Sequence, residues 1–142
     1  MEILFFKTSS SVDDGSANVR WLNADELPVY NRHLALCGQK TLSAERWNTI
    51  INEGTIYCGL FIDGEMVARA AVEKYSEDKW EVSDVRTARE YRNHGCARQV
   101  CLFVMSYIFR HGRTATIRTE IDNAPMLSVI RSLGFEKTAA EE

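Results

Sequence analysis

The chain has 142 residues, 45% hydrophobic and 26% charged, enough for one domain with a core of its own. Seventeen Lys and Arg against 20 Asp and Glu give a formal charge of -3 and a pI near 5.7, which excludes an overall positive field toward nucleic acid or an acidic membrane and leaves only a local basic groove open. Cys37, Cys58, Cys96 and Cys101 are scattered without the close pairs of a zinc site or a dithiol, so no metal and a reduced compartment are expected.

At the N-terminus the apolar stretch Ile3 to Phe6 follows the acidic Glu2 with no basic lead, which argues for a short strand and against a signal peptide. No apolar run approaches the roughly 20 residues of a membrane span; the expected location is cytoplasmic. Residues 8 to 18, rich in Ser, Asp and Gly, read as a flexible connection. Residues 22 to 38 read as a helix, with Asn23 or Asp25 as its cap, Pro28 near its start and Gly38 as its stop. A second helix follows, capped by Ser43 and ended by Gly54.

From Ile56 the pattern changes to strands. Asp63-Gly64 supplies the two positive-φ residues of a tight hairpin between "IYCGLFI" and "EMVARAAVEKY", and a second turn at Ser76 to Lys79 leads into "WEVSDVRT", giving a three-stranded antiparallel meander. Ala97, Val100, Cys101, Val104, Met105 and Ile108 then recur at helical spacing, closed by His111-Gly112. In "RTATIRTEID" the residues Ala115, Ile117, Thr119 and Ile121 share one face of a strand. Asn123 precedes a short helix ended by Gly134, and a final short strand completes an α/β layer around one mixed, mainly antiparallel sheet.

Before the apolar helix stands "REYRNHGCA". A helix N-terminus leaves four N–H groups without intrahelical acceptors, and a phosphate accepts them well. Gly95 lets the backbone close on such an anion, Ala97 keeps the approach uncrowded and Arg92 adds a charged fork; the alternative is a capped turn with surface arginines. The segment lacks the Gly-Lys-Ser/Thr ending of a nucleoside-triphosphate loop and has one glycine where a dinucleotide fingerprint needs three.

In this order of elements, "VRTAREYRNHGCARQ" and "IDNAPMLSVIRSLGF" resemble the GNAT superfamily of acyl-CoA-dependent N-acyltransferases. Arg92, Asn93, His94, Gly95, Cys96 and Ala97 match its Arg/Gln-x-x-Gly-x-Gly/Ala pyrophosphate loop, and Asn123 with Leu133-Gly134-Phe135 matches its later signature. The resemblance spans roughly residues 19 to 137 and implies the single-domain fold of that family, with a sheet splayed around acetyl-CoA as co-substrate. It implies that Val85, Arg86 and Thr87 pair through their backbone with the pantetheine arm, that Asn123 stands opposite, and that Ser128 and Arg131 reach the cofactor from the side.

The chain departs from the family in two places. Many relatives carry a Tyr as the acid for the leaving thiol four residues before the closing glycine, and here that position is Ile130; Ser128 or Tyr107 are substitutes, or the thiolate leaves unaided. The usual C-terminal hairpin is also shortened, which leaves a sheet edge that is bare, guarded by the charged tail or covered by a partner's strand; with "ILFF" as a partner segment, a homodimer is expected. As base, Glu81, Asp84 and Glu73 are the candidates, with Glu81 and Asp84 read as pointing to opposite faces of their strand and Glu81, Ser83, Val85 and Thr87 as sharing one. Cys96 stands at a helix N-terminus that would lower its pKa, although a structural role suits it better than a nucleophilic one. The expected activity is acetyl transfer to an amine of a small molecule or a protein. The alternative is a non-catalytic acyl-CoA-binding sensor or interaction domain.

Overall fold

Ile3 and Phe5 alternate with more open neighbours, and this period-two pattern forms strand β1 (Glu2–Lys7) in the computed structural model, which describes residues 1–9 and 17–138. Of the connection expected over residues 8 to 18, the part from Ser10 to Ser16 lies outside the described residues. The chain continues with β2 (Val19–Trp21), α1 (Leu27–Leu36), α2 (Ala44–Asn52), β3 (Ile56–Ile62), β4 (Glu65–Glu73), β5 (Lys79–Thr87), a single 3-10 turn (Arg89–Tyr91), α3 (Cys96–Arg110), β6 (Thr114–Glu120), α4 (Ala124–Ser132) and β7 (Glu136–Lys137).

Strand β2 is absent from the sequence reading. Three residues are too few for alternation to show, and Val-Arg-Trp becomes a strand by pairing with Leu60, Gly59 and Cys58 at the sheet edge. The first helix accordingly starts at Leu27 and not near Leu22, with Pro28 in its first turn; its N-cap is Glu26, and neither Asn23 nor Asp25 caps it. Ser43 does cap α2, accepting from the Arg46 N–H at 3.1 Å. Asp63 and Gly64 both take positive φ, 51° and 82°, as their hairpin requires.

The seven strands form one sheet in the order β2-β3-β4-β5-β6-β1-β7, antiparallel throughout except for β5 with β6. On one face α3 and α4 bury Val100, Val104, Met105, Ile108 and Ile130 against Val67, Val72, Val82 and Ile117. On the other, α1 and α2 bury Tyr30, Leu34 and Trp47 against Tyr57, Met66 and Ala71. Both layers rest on large apolar side chains removed from water at about 25 cal/mol per Å².

The segment "ILFF" is not left for a second copy: β1 pairs with β6 over Glu2 to Lys7 and with β7 through Phe5 and Phe6, and Thr138 N–H donates to the Leu4 carbonyl at 3.2 Å. Ile121, expected on the buried face of β6, lies past its end and is 55% exposed.

Candidate active site

Strands β5 and β6 run parallel, and their pairing covers only Lys79–Thr114, Trp80–Ala115 and Glu81–Thr116. From Val82 onward the edge of β5 turned toward β6 has no strand beside it among the described residues, so the two diverge into a V whose vertex is the Glu81–Thr116 pair. The arms are lined by Val82 to Thr87 on one side and Ile117 to Glu120 on the other.

A β-bulge shapes the β5 arm. Between the pairs Arg69–Arg86 and Ala71–Ser83, a two-residue step of β4 faces a three-residue step of β5, and Asp84 takes a left-handed φ of 49° there. The extra residue resets the alternation. Asp84 joins Glu81 and Ser83 on the α1 face, where its carboxylate meets Tyr57 and Arg69, while Val85 packs into the α3-side core. The strict period-two reading is therefore wrong on both counts: Glu81 and Asp84 do not point to opposite faces, and neither Val85 nor Thr87, which pairs with Ala68 of the α3-side core, shares the face of Glu81.

The carboxylates differ in their surroundings. Arg69, 2% exposed in the middle of the apolar strand β4, donates to Asp84 Oδ1 through Nη2 at 2.9 Å and to Oδ2 through Nε at 3.3 Å. Tyr57 donates to Oδ2 at 2.8 Å and Tyr30 approaches it at 3.4 Å, while Arg69 Nη1 donates to Gln39 Oε1 at 2.9 Å. Burial holds the Tyr57 hydroxyl well above the usual tyrosine range, so it serves as a donor and not as an acid. Tyr30, Tyr57, Arg69 and Gln39 were not singled out in the sequence; a lone arginine inside "MVARAAVE" was the available signal, since a buried guanidinium needs an anionic partner.

Glu81 lies at the vertex, 8% exposed, and receives Arg118 Nε at 2.9 and 3.2 Å on its two oxygens. Its pKa is raised: burial is the main cause and the nearby carboxylates of Glu73 and Glu2 add to it, with Arg118 opposing. Glu73 stands opposite Glu81 across β4 and β5 and is exposed. By register and alternation, Glu2, Glu73, Glu81 and Glu120 share one face of the sheet with Arg118; Glu81 is paired with Arg118 and Glu120 with the N-terminal ammonium of Met1 at 2.8 Å.

At the open end of the V, the loop between β5 and α3 places Asn93 and Gly95 at positive φ, 65° and 78°, with Gly95 as the N-cap. The first helical bond is Gln99 N–H to the Gly95 carbonyl at 3.1 Å, so the N–H groups of Cys96, Ala97 and Arg98 have no intrahelical acceptor. Arg92 folds back, its Nε donating to the Thr87 carbonyl at 3.3 Å, and His94 is exposed. A Cβ on Gly95 would meet nothing within 4 Å, so glycine is required there by conformation and not by crowding. Cys96 is 4% exposed and burial raises its thiol pKa, which overrides any lowering by the helix end and leaves it a core residue.

The remaining candidates lie on α3 and on α4 with its N-cap. Asn123 caps α4, accepting from the Met126 N–H at 3.2 Å, and Ser128 and Arg131 are exposed on that helix. Ile130 is fully buried. Tyr107 packs on Trp21, Trp80 and His111 in the last turn of α3, about 16 Å along the helix axis from its start. Among the described residues no cluster of His, Cys, Asp or Glu is arranged to hold a metal, and no helix is long and apolar enough to cross a membrane.

An elongated thioester cofactor fits this arrangement. The unpaired edge of β5 offers backbone groups to an arm lying in the V, the α3 terminus offers N–H groups to a phosphate, and Ser83 Oγ and Thr87 Oγ1 are buried beside the bulge without partners among the described residues. A separate cavity of about 370 Å³ lies by the β3–β4 hairpin, lined by Arg20, Val29, Arg32, His33, Phe61 and Met66, and its arginines are already paired with Glu26 and Glu65.

Residues 18–135 match the sequence profile of the acetyltransferase (GNAT) family. No curated protein matches the chain in sequence. Among solved structures, a GNAT-family protein from Novosphingobium aromaticivorans superposes with a TM-score of 0.77 at 21% identity, over 96% of this chain and 59% of its own, so the chain spans about three fifths of that relative. The ribosomal-protein-S18-alanine N-acetyltransferase from Escherichia coli gives 0.69 at 18% identity, over 84% of this chain and 77% of its own. AAC(6')-Iy, in complex with the bisubstrate analog CoA-S-monomethyl-acetylneamine, gives 0.72 at 17% identity, over 84% of this chain and 90% of its own.

Proposed function

The chain belongs to the acetyltransferase (GNAT) family, and on that footing we propose that it transfers an acetyl group from acetyl-CoA to a primary amine of a small molecule or a protein, by direct attack within a ternary complex. The observation that carries this reading is the coincidence of a parallel strand pair that opens at Glu81–Thr116 with a glycine-capped helix terminus at the open end of the same cleft. The cofactor supplies a thioester, whose carbonyl carbon accepts the amine lone pair as the carbon–sulfur bond breaks and the thiolate leaves with the electron pair.

The protein's own residues have three tasks. The backbone of Val85, Arg86 and Thr87 and the N–H groups from Gly95 to Arg98 hold the cofactor in register. The carboxylates of Glu2 and Glu73 beside the Glu81–Arg118 pair favour an acceptor that arrives as an ammonium ion. Glu81 takes the proton, directly or through water, because a buried carboxylate with a raised pKa holds a proton more strongly than an exposed one and is the better base. Asp84, whose two oxygens are engaged by Arg69 and Tyr57, shapes the bulge and the acceptor wall. With Ile130 buried in place of an acid, the thiolate leaves on the strength of its own acidity, a thiol being far more acidic than an alcohol.

A thiol-release assay with acetyl-CoA over a panel of amines tests this, run on the parent and on Glu81→Gln, Glu73→Gln and Asp84→Asn. The expected result is amine-dependent release that falls at least about 100-fold in Glu81→Gln with CoA affinity retained. Tight CoA binding without release to any amine would favour the sensor reading, which the buried Ile130 also suits.

A further inference from the structure

We propose that Arg118 is a positioning residue for Glu81, fixing the carboxylate at the vertex of the cleft and balancing the negative charge gathered around it; this rests on Glu81 being the base. Thr116 is the last β6 residue paired with β5, and Arg118 is the next residue of β6 on the same face, already on the diverging arm. From there its side chain reaches back across the widening gap, and one nitrogen, Nε, donates to both Glu81 oxygens at 2.9 and 3.2 Å. The Glu81 side chain is 11% exposed and that of Arg118 41% exposed, so the carboxylate is the more enclosed partner of the pair.

The other groups facing Glu81 explain why a cation is needed there. Glu73 on β4 and Glu2 on β1 both repel its negative charge, while Thr116 Oγ1 approaches at 3.5 Å and is itself bonded to the Tyr75 hydroxyl at 2.9 Å. Among the described residues Arg118 makes the one salt bridge to Glu81. Without it, burial and two like charges act unopposed and the carboxylate takes up its proton at higher pH, which removes the base under conditions where the parent is active. A fixed oxygen direction also matters for proton abstraction, because the acceptor nitrogen has to approach within hydrogen-bond reach.

Side-chain carboxyl NMR of Glu81, with Glu81→Gln for assignment, followed over pH in the parent, Arg118→Met and Arg118→Lys, tests this without reference to turnover. The midpoint is expected to rise by about one unit or more in Arg118→Met, with Arg118→Lys in between, and the acid limb of the kcat/KM profile is expected to move with it. A midpoint that stayed in place or fell in both variants would overturn the proposal; should Arg118→Met fail to fold, Arg118→Lys alone decides by whether its midpoint rises. Full turnover in Glu81→Gln would instead remove the base reading while leaving the NMR result to judge the contact itself.

Discussion

Arg69 and Asp84 form a two-point ion pair, at 2.9 and 3.3 Å, in which the guanidinium is almost wholly buried and the carboxylate is 38% exposed. The asymmetry makes a prediction about which partner matters more. Asp84→Asn strands a buried charge and should cost about 3 kcal/mol, whereas Arg69→Met leaves a carboxylate that water can still reach and should cost about 1–2 kcal/mol. Urea unfolding of both variants checks the order; equal losses, or a larger loss in Arg69→Met, would show that the pair is not asymmetric in this way.

His33 gives a pH prediction. Its ring is 1% exposed, with Nδ1 3.1 Å from the Met66 carbonyl and Nε2 3.5 Å from Cys37 Sγ, and burial lowers its pKa from 6.5 to about 4. The unfolded chain therefore binds a proton that the folded protein refuses between those values, so stability is full above about pH 6.5 and falls as pH drops toward 4. The loss should be about 3 kcal/mol, and a His33→Gln variant should show a flatter acid limb in thermal or urea unfolding. An identical limb in both proteins would place the acid sensitivity elsewhere.

Much of the fold was legible in the sequence because local chemistry determined it. Ser43 caps α2, Asp63-Gly64 turns the hairpin and Gly95 starts α3, each through a conformation or bond made within a few residues. What escaped was long-range. The three-residue β2 exists through its pairing with β3, and the place of β1 between β6 and β7 depends on partners more than 100 residues away. In the candidate site, the placement of Glu81 and of the loop from Arg92 to Ala97 could be read from spacing, whereas the bulge at Asp84 was missed by assuming a strict period of two, although the apolar residues Trp80, Val82 and Val85 slip by one position there. That single insertion decides which carboxylates share a face, and with it the roles of Arg69 and Tyr57.

Gly95 separates conformation from crowding. Since a Cβ there meets open space and φ is 78°, Gly95→Ala should cost about 1–2 kcal/mol through the left-handed backbone alone, with Gly95→Asn cheaper. CoA affinity measured by calorimetry should follow the same order, Asn above Ala above Val, if the loop holds its N–H groups toward the phosphate as proposed. Parent-like binding by Gly95→Val would mean that this turn does not hold the pyrophosphate.

Titration of CoA into ¹⁵N-labelled protein tests the cofactor cleft most directly. Saturable shifts are predicted for the backbone amides of Val85 to Thr87, on the β5 arm of the V, and of Cys96 to Arg98, at its open end. No saturable shift at millimolar CoA, or shifts confined to the cavity of Arg20, Arg32 and His33, would contradict it.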